Sequence, residues 1–234
     1  MSDWGLVISA EHASHAVPDD VELGLSDAVL ESHTGWDPGV AIVARAVGRH
    51  FGVTPHLGAW TRLVADLNRP PDSPEVVAPV AFGVTVPGNG GLDAAAVEAR
   101  VAKYHRPYWA AVEASVRTTL ESASRVLHLS VHSFTPVYDG TTREVELGVM
   151  MDPERPLERA VADTWIEVFA RDGFVSRENE PYDGRAPALV TSLRSVFDPL
   201  AYAGVEIEIS HGLLDRIDDV ATAVIDAVSV TIGR

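Results

Sequence analysis

Arg62, Asp66, Asn68 and Arg69 crowd into one short segment, TRLVADLNRP (61–70). A guanidinium presents a planar fork of donors that fits a carboxylate or a developing oxyanion, and an asparagine adds a neutral donor and acceptor that fix orientation. Such a set suits an enzyme that grips an anionic substrate beside a metal. The competing reading is a strand end tied down by surface ion pairs. Two segments that set an apolar run against histidine weigh against it: SAEHASHAVP (9–18) and VLHLSVHSFTP (126–136). The chain has no cysteine, so any metal must be held by histidine and carboxylate. His12 and His132 both fall where a strand gives way to a loop, and two histidines with a carboxylate make an open zinc site. Asp37, in GWDPG (35–39), is the first candidate for the third ligand and His15 the second; Asp37 is equally placed to cap a helix. Glu11 is placed to orient a ligand from behind.

The other histidines carry weaker signals. His128 lies deeper in its apolar run and reads as a core histidine, while His33, His50 and His56 read as structural or exposed. VEIEIS (205–210) puts Glu206 and Glu208 on one face of a strand. A carboxylate within such a run is costly unless it has a partner or a job. Glu208, nearer the end of its strand, is the better candidate for a general base that takes a proton from water and passes it to a leaving amine. Pairing of both with surface arginines on an edge strand is the alternative.

The elements that would position these groups alternate in type. GLVISA (5–10), RVLHLSVHS (125–133), VELGVMM (145–151) and VEIEIS read as strands. Helical patterns cover Pro38 to Phe51, Asp93 to about Ser124 with a kink or break at Pro107, Pro156 to Arg171, and about Leu214 to Ile232. Residues 70–92, rich in proline and glycine, read as a long surface loop and a candidate lid. The alternation predicts one α/β domain over residues 1–234, three-layered, with a mixed, largely parallel sheet and helices on both faces. Functional groups in such sheets gather at the strand exits. At 234 residues and 46% hydrophobic content the chain can bury a full core. A formal charge of −16 argues against nucleic-acid partners. No run of 18 apolar residues occurs, and the first residues lack a basic leader pattern, so neither a membrane span nor export is expected and the expected location is cytoplasmic.

Taken together, SAEHASHAVP, GWDPG, TRLVADLNRP, VHSFTP and VEIEIS, in this order, resemble the N-formylglutamate amidohydrolase family, a branch of the zinc carboxypeptidase and aspartoacylase group. KYHRPYW (103–109) and ENEPYDGR (178–185) resemble family segments as well. The resemblance implies a zinc carboxypeptidase-like fold, one zinc ion and a small anionic N-acyl amino acid as substrate. It implies His12 and His132 as ligands, Arg62 on the scissile carbonyl and oxyanion, Asn68 and Arg69 on the substrate carboxylate, and Glu208 as general base. Two departures stand out. His15 occupies the place where related branches carry a ligating glutamate, which leaves the third ligand open between Asp37 and His15. Ser210 follows Glu208 and Ile209 where the family usually has arginine, which bears on substrate choice. A metallo-carboxypeptidase acting on short peptides or cell-wall fragments, and a non-catalytic binder of acidic metabolites, are the rival expectations.

Overall fold

The computed structural model describes residues 3–233; Met1, Ser2 and Arg234, the ends of the expected 1–234 unit, lie outside the described residues. In chain order, β1 (Trp4–Ala10) leads through α1 (Asp27–Leu30) to α2 (Val40–Phe51) and β2 (His56–Leu57). A hairpin of β3 (Val80–Ala81) and β4 (Val84–Thr85) precedes α3 (Ala94–Arg100), which runs through a π-helical turn, Val101–His105, into α4 (Arg106–Leu120). β5 (Arg125–Phe134) is followed by the hairpin β6 (Val137–Tyr138) and β7 (Thr141–Thr142), then by β8 (Leu147–Met150), α5 (Pro156–Arg171), β9 (Ser176–Glu178) and α6 (Leu189–Arg194). β10 (Tyr202–Ser210), a 3-10 turn at His211–Arg216 and α7 (Ile217–Ile232) close the chain.

Six strands form one sheet in the order β2-β1-β5-β10-β8-β9. The first four are mutually parallel, β8 runs antiparallel to β10, and β9 is parallel to β8. The mixed, largely parallel three-layer sheet expected from the sequence is therefore present. Alternation along the strands decides what each face does. Leu6 and Ile8 of β1, Leu127, Leu129 and Val131 of β5, and Val205, Ile207 and Ile209 of β10 pack on one face against α2, α5 and α7. On the other face, α4 and α6 cover Val7, Val126 and Tyr202 near the strand starts. Beyond them that face turns polar. Ser9, Ser130 and Glu206 lie side by side in register, and the next rung pairs His132 with Glu208.

Several elements depart from the sequence reading. Asp37 is not a helix cap: α2 begins two residues later than expected, behind Gly39, whose φ of +87° is disfavoured for residues with a Cβ. Residues 70–92 are not a free surface loop. Val76, Val77 and Val86 are buried, and Asn89 Nδ2 donates to the carbonyls of Leu63 and Ala78 at 2.9 and 2.8 Å. Near Pro107 the helix is interrupted without a break: a π-helical turn, Val101–His105, joins α3 to α4, and Pro107 follows as the second residue of α4. The last helix starts at Ile217 after the 3-10 turn rather than at Leu214.

Candidate active site

Three loops meet at the carboxyl ends of β1, β2 and β5, stitched together by their backbones. Asp37 N donates to His12 O at 2.9 Å, and Arg62 N and Thr61 Oγ1 both donate to Gly35 O, at 3.1 and 2.7 Å. Gly58 lets the third loop lie against the first: a Cβ there would sit 1.9 Å from Glu11 O. KYHRPYW supports the same loop from α4. Trp109 Nε1 donates to Leu67 O at 2.7 Å, His105 Nε2 lies 2.8 Å from Arg69 O, and Tyr108 OH reaches Glu11 Oε1 and His56 O, both at 3.1 Å.

The stitching brings His12, Asp37 and His132 together. One potential ligand atom from each lies within 4.8 Å of the others, and all three residues are buried. His15 is not part of this group; it is exposed and packs edge-on against Trp36, ring centroids 5.0 Å apart. Each histidine is polarised by a carboxylate behind it. His12 Nε2 lies 2.6 Å from Asp66 Oδ1, so donation to Asp66 leaves the neutral ring's lone pair on Nδ1, a buried atom without a hydrogen-bond partner, 3.4 Å from Asp37 Oδ2. His132 Nδ1 lies 3.0 Å from Asp37 Oδ2. Its Nε2 is 2.9 Å from Glu11 Oε2, close enough for charge attraction though not aligned as a hydrogen bond. Glu11 is held in turn by Ser130 Oγ at 2.6 Å.

The electrostatics are those of a cation site. Burial opposes charge on His132, yet Glu11 outweighs it, with Glu206 and Glu208 adding to the attraction, and the ring is pushed up to about 9. Burial, reinforced by the Arg62 guanidinium, pulls His12 down to about 4. Asp66 is held well below the usual carboxylate range, because His12 and Arg62 outweigh the effect of burial. Burial lifts Glu208 to about 7, partly offset by His132, and its Oε2 is a buried atom with no partner. Glu206 is raised by burial as well. Arg62 is ion-paired with Asp37 Oδ1. A buried unpartnered imidazole nitrogen, a second imidazole and five carboxylates fit a divalent cation bound by His12, Asp37 and His132.

His12, Asp37, Asp66, His132 and Glu206 line a cavity of about 420 Å³ that Arg62, Asn68, Arg69 and Glu208 also face. Asn68 Oδ1 accepts from Leu189 N at 3.2 Å, and Arg69 Nε pairs with Glu75 at 3.0 Å. Of the eight residues singled out as ligands, base or substrate contacts, all but His15 thus reach one space. A model of the N-formylglutamate amidohydrolase family matches residues 4–214. The chain belongs to that family. Amide hydrolysis is what membership in the N-formylglutamate amidohydrolases implies. A gene product of Agrobacterium tumefaciens of known structure is 31% identical over 99% of this chain and 91% of its own, with a TM-score of 0.85. An N-formylglutamate amidohydrolase from Ralstonia eutropha shares the fold at 20% identity, with a TM-score of 0.75 over 98% of this chain and 94% of its own. No curated protein matches.

Two site features escaped the sequence reading. Asp66 stood among the residues of the opening motif, but nothing local assigns it to His12. Ser133, the small polar residue after His132, has no role assigned by the sequence: its N lies 3.3 Å from Asp37 Oδ2 and its Oγ 3.0 Å from His211 Nε2, so it buttresses the proposed carboxylate ligand. Adjacency to His132 was the only signal that could have drawn attention to it. Of the proline-rich stretch, Phe82 reaches the cavity, from the tip of the β3–β4 hairpin.

Proposed function

We propose that this family member is a zinc-dependent hydrolase that cleaves the amide of a small, anionic N-acyl amino acid such as N-formylglutamate. The observation that carries the reading is the unpartnered Nδ1 of His12, buried beside Asp37 and His132 and held in the ligating tautomer by Asp66. In this reading His12, Asp37 and His132 hold one zinc ion. A bound ion would polarise the acyl carbonyl and make an attacking water more acidic. Glu208 takes the proton of that water and delivers it to the leaving nitrogen, so that amine and carboxylic acid separate with protons balanced. Arg62 turns a guanidinium N–H toward the oxygen on which negative charge develops. Asn68 and Arg69 hold the substrate carboxylate and so orient the amide.

The test combines metal analysis with hydrolysis of N-formylglutamate, N-acetylaspartate and dipeptides by the same preparation. Close to one zinc per chain, lost together with N-acyl amino acid hydrolysis on chelation and restored with zinc, is the expected result. Purified protein that binds no divalent metal would sink the reading, and hydrolysis confined to dipeptides would make it a peptidase instead.

A further inference from the structure

The cavity is larger than the molecule that gives the family its name. N-formylglutamate has about a dozen non-hydrogen atoms, whereas a cavity of about 420 Å³ lies in the range that encloses drug-sized ligands. A second, smaller space adjoins it. A crevice of about 30 Å³ shares Asp37, Arg62, Phe82, Ser133 and Tyr182 with the main cavity and adds His33, Phe134, Thr135 and Tyr138, but none of Asp66, Asn68 and Arg69 lines it. It therefore opens beside Arg62, away from the carboxylate grip.

Four of its lining residues, Phe82, Phe134, Tyr138 and Tyr182, are aromatic, and three of these lie on segments that leave apolar surface in water. Val80 and Phe82, on the β3–β4 hairpin, are 54% and 48% exposed; Val137 and Tyr138, on the β6–β7 hairpin, 56% and 48%; Tyr182, 42%. These five are half of the large hydrophobic side chains left exposed among the described residues, and apolar surface concentrated beside a cavity marks a place where a ligand binds. The Arg143 guanidinium lies over the rings of Phe134, Tyr138 and Tyr182 at 5.5, 4.9 and 5.1 Å and donates to Thr135 O and Tyr182 OH. Arg143 thus fixes the rings and is engaged by them rather than offered to a second anion.

We infer that this crevice is an acyl-side subsite and that the enzyme takes an apolar acyl group of several carbons in preference to formyl. The inference rests on the function proposed above. With the substrate carboxylate on Asn68 and Arg69 and its carbonyl at Arg62, the acyl substituent is left the side formed by Phe82, Tyr138 and Tyr182. A formyl group has no carbon to place there, whereas each methylene buried is worth roughly a factor of four.

The test is kcat/KM of the zinc-loaded full chain for N-formyl-, N-acetyl- and N-butyrylglutamate. Butyryl is expected to exceed formyl by about tenfold or more, and Phe82→Ala and Tyr138→Ala to lower that ratio by about fivefold. Because the ratio is taken within each variant, partial misfolding does not alter it. A wild type that prefers formyl, or a ratio untouched by both substitutions, overturns the subsite while leaving the hydrolase intact. If no N-acylglutamate is hydrolysed, the proposed function falls, and calorimetry then judges the subsite alone: N-butyrylglutamate binding no tighter than N-formylglutamate overturns it.

Discussion

At the scale of single residues, the site is a set of charges in which each histidine ring lies between two carboxylates, Asp66 and Asp37 for His12, Glu11 and Asp37 for His132. Asp66 commits Nε2 of His12, and Glu11 stands behind Nε2 of His132. Carboxylates in this position typically change metal affinity by roughly 10- to 100-fold. Asp66→Asn is therefore expected to weaken zinc binding by about that factor, measured by competition with a chromophoric chelator; unchanged affinity would remove Asp66 from the site. Glu208→Gln tests a different step. It should lower kcat by roughly 100- to 10,000-fold at unchanged zinc content, since the amide cannot carry the proton. A fully active Glu208→Gln enzyme would mean that the base lies elsewhere. His12, His132, Asp37 and Glu208 were legible in the sequence because each stands at a strand end or at a loop turn beside a marked motif. Asp66 was not legible in its role, because that role depends on the rotation of a ring 54 residues away.

At the scale of elements, the strands were legible because alternation survives burial: in the middle of β5 and along β10 one parity is aliphatic, Leu127, Leu129 and Val131 in the first and Ala203, Val205, Ile207 and Ile209 in the second, while the other carries His128, Ser130, His132, Glu206 and Glu208. What the sequence did not reveal are the small elements that long-range contacts hold. Residues 70–92 show the proline and glycine of a loop, yet Asn89 and three buried valines pin them to the fold. The loop at 179–188 is anchored in the same way. Asn179 Oδ1 accepts from Met151 N and Gly184 N, and Arg194 bonds the carbonyls of Gly184 and Gly204 while its Nε and Nη2 meet Glu158 at 3.0 and 2.9 Å. Glu158 is fully buried, and without Arg194 it keeps one cation, Arg155 at 3.0 Å, and the backbone N–H groups of Asp152 and Gly204. Arg194→Ala should then destabilise the protein by about 3–5 kcal/mol, read from denaturant midpoints at constant m-value. A loss below about 1 kcal/mol would show that Arg155 and the two backbone donors suffice to hold Glu158.

At the scale of the whole molecule, the sheet has one face given to stability and one divided between packing and chemistry, and the dividing line runs through His128. This ring lies next in register to Val7 and Gly204, fully buried, with Nε2 2.9 Å from Ser9 Oγ and Nδ1 2.7 Å from Tyr202 OH. No carboxylate hydrogen-bonds to it, and burial pulls it down to about 4 from an ordinary value of 6.5. Above pH 6.5 the ring is neutral whether the chain is folded or unfolded, and it contributes nothing to pH dependence. As pH falls below 6.5 the unfolded chain takes up a proton that the folded chain refuses until about pH 4. Stability is lost through that window, by up to about 3 kcal/mol. Neighbours run the other way: His132, pushed up to about 9, and Glu208, lifted to about 7, both favour the fold as pH falls. The prediction is therefore made on the difference between wild type and His128→Asn, in which those contributions cancel. That difference, measured by urea unfolding of metal-free protein, should be constant above pH 7 and shift against the wild type by about 2 kcal/mol between pH 6.5 and 5. Parallel stability curves would mean that His128 takes up its proton at the same pH in the folded and the unfolded chain, and that the boundary between the packed and the reactive halves of the sheet face lies elsewhere.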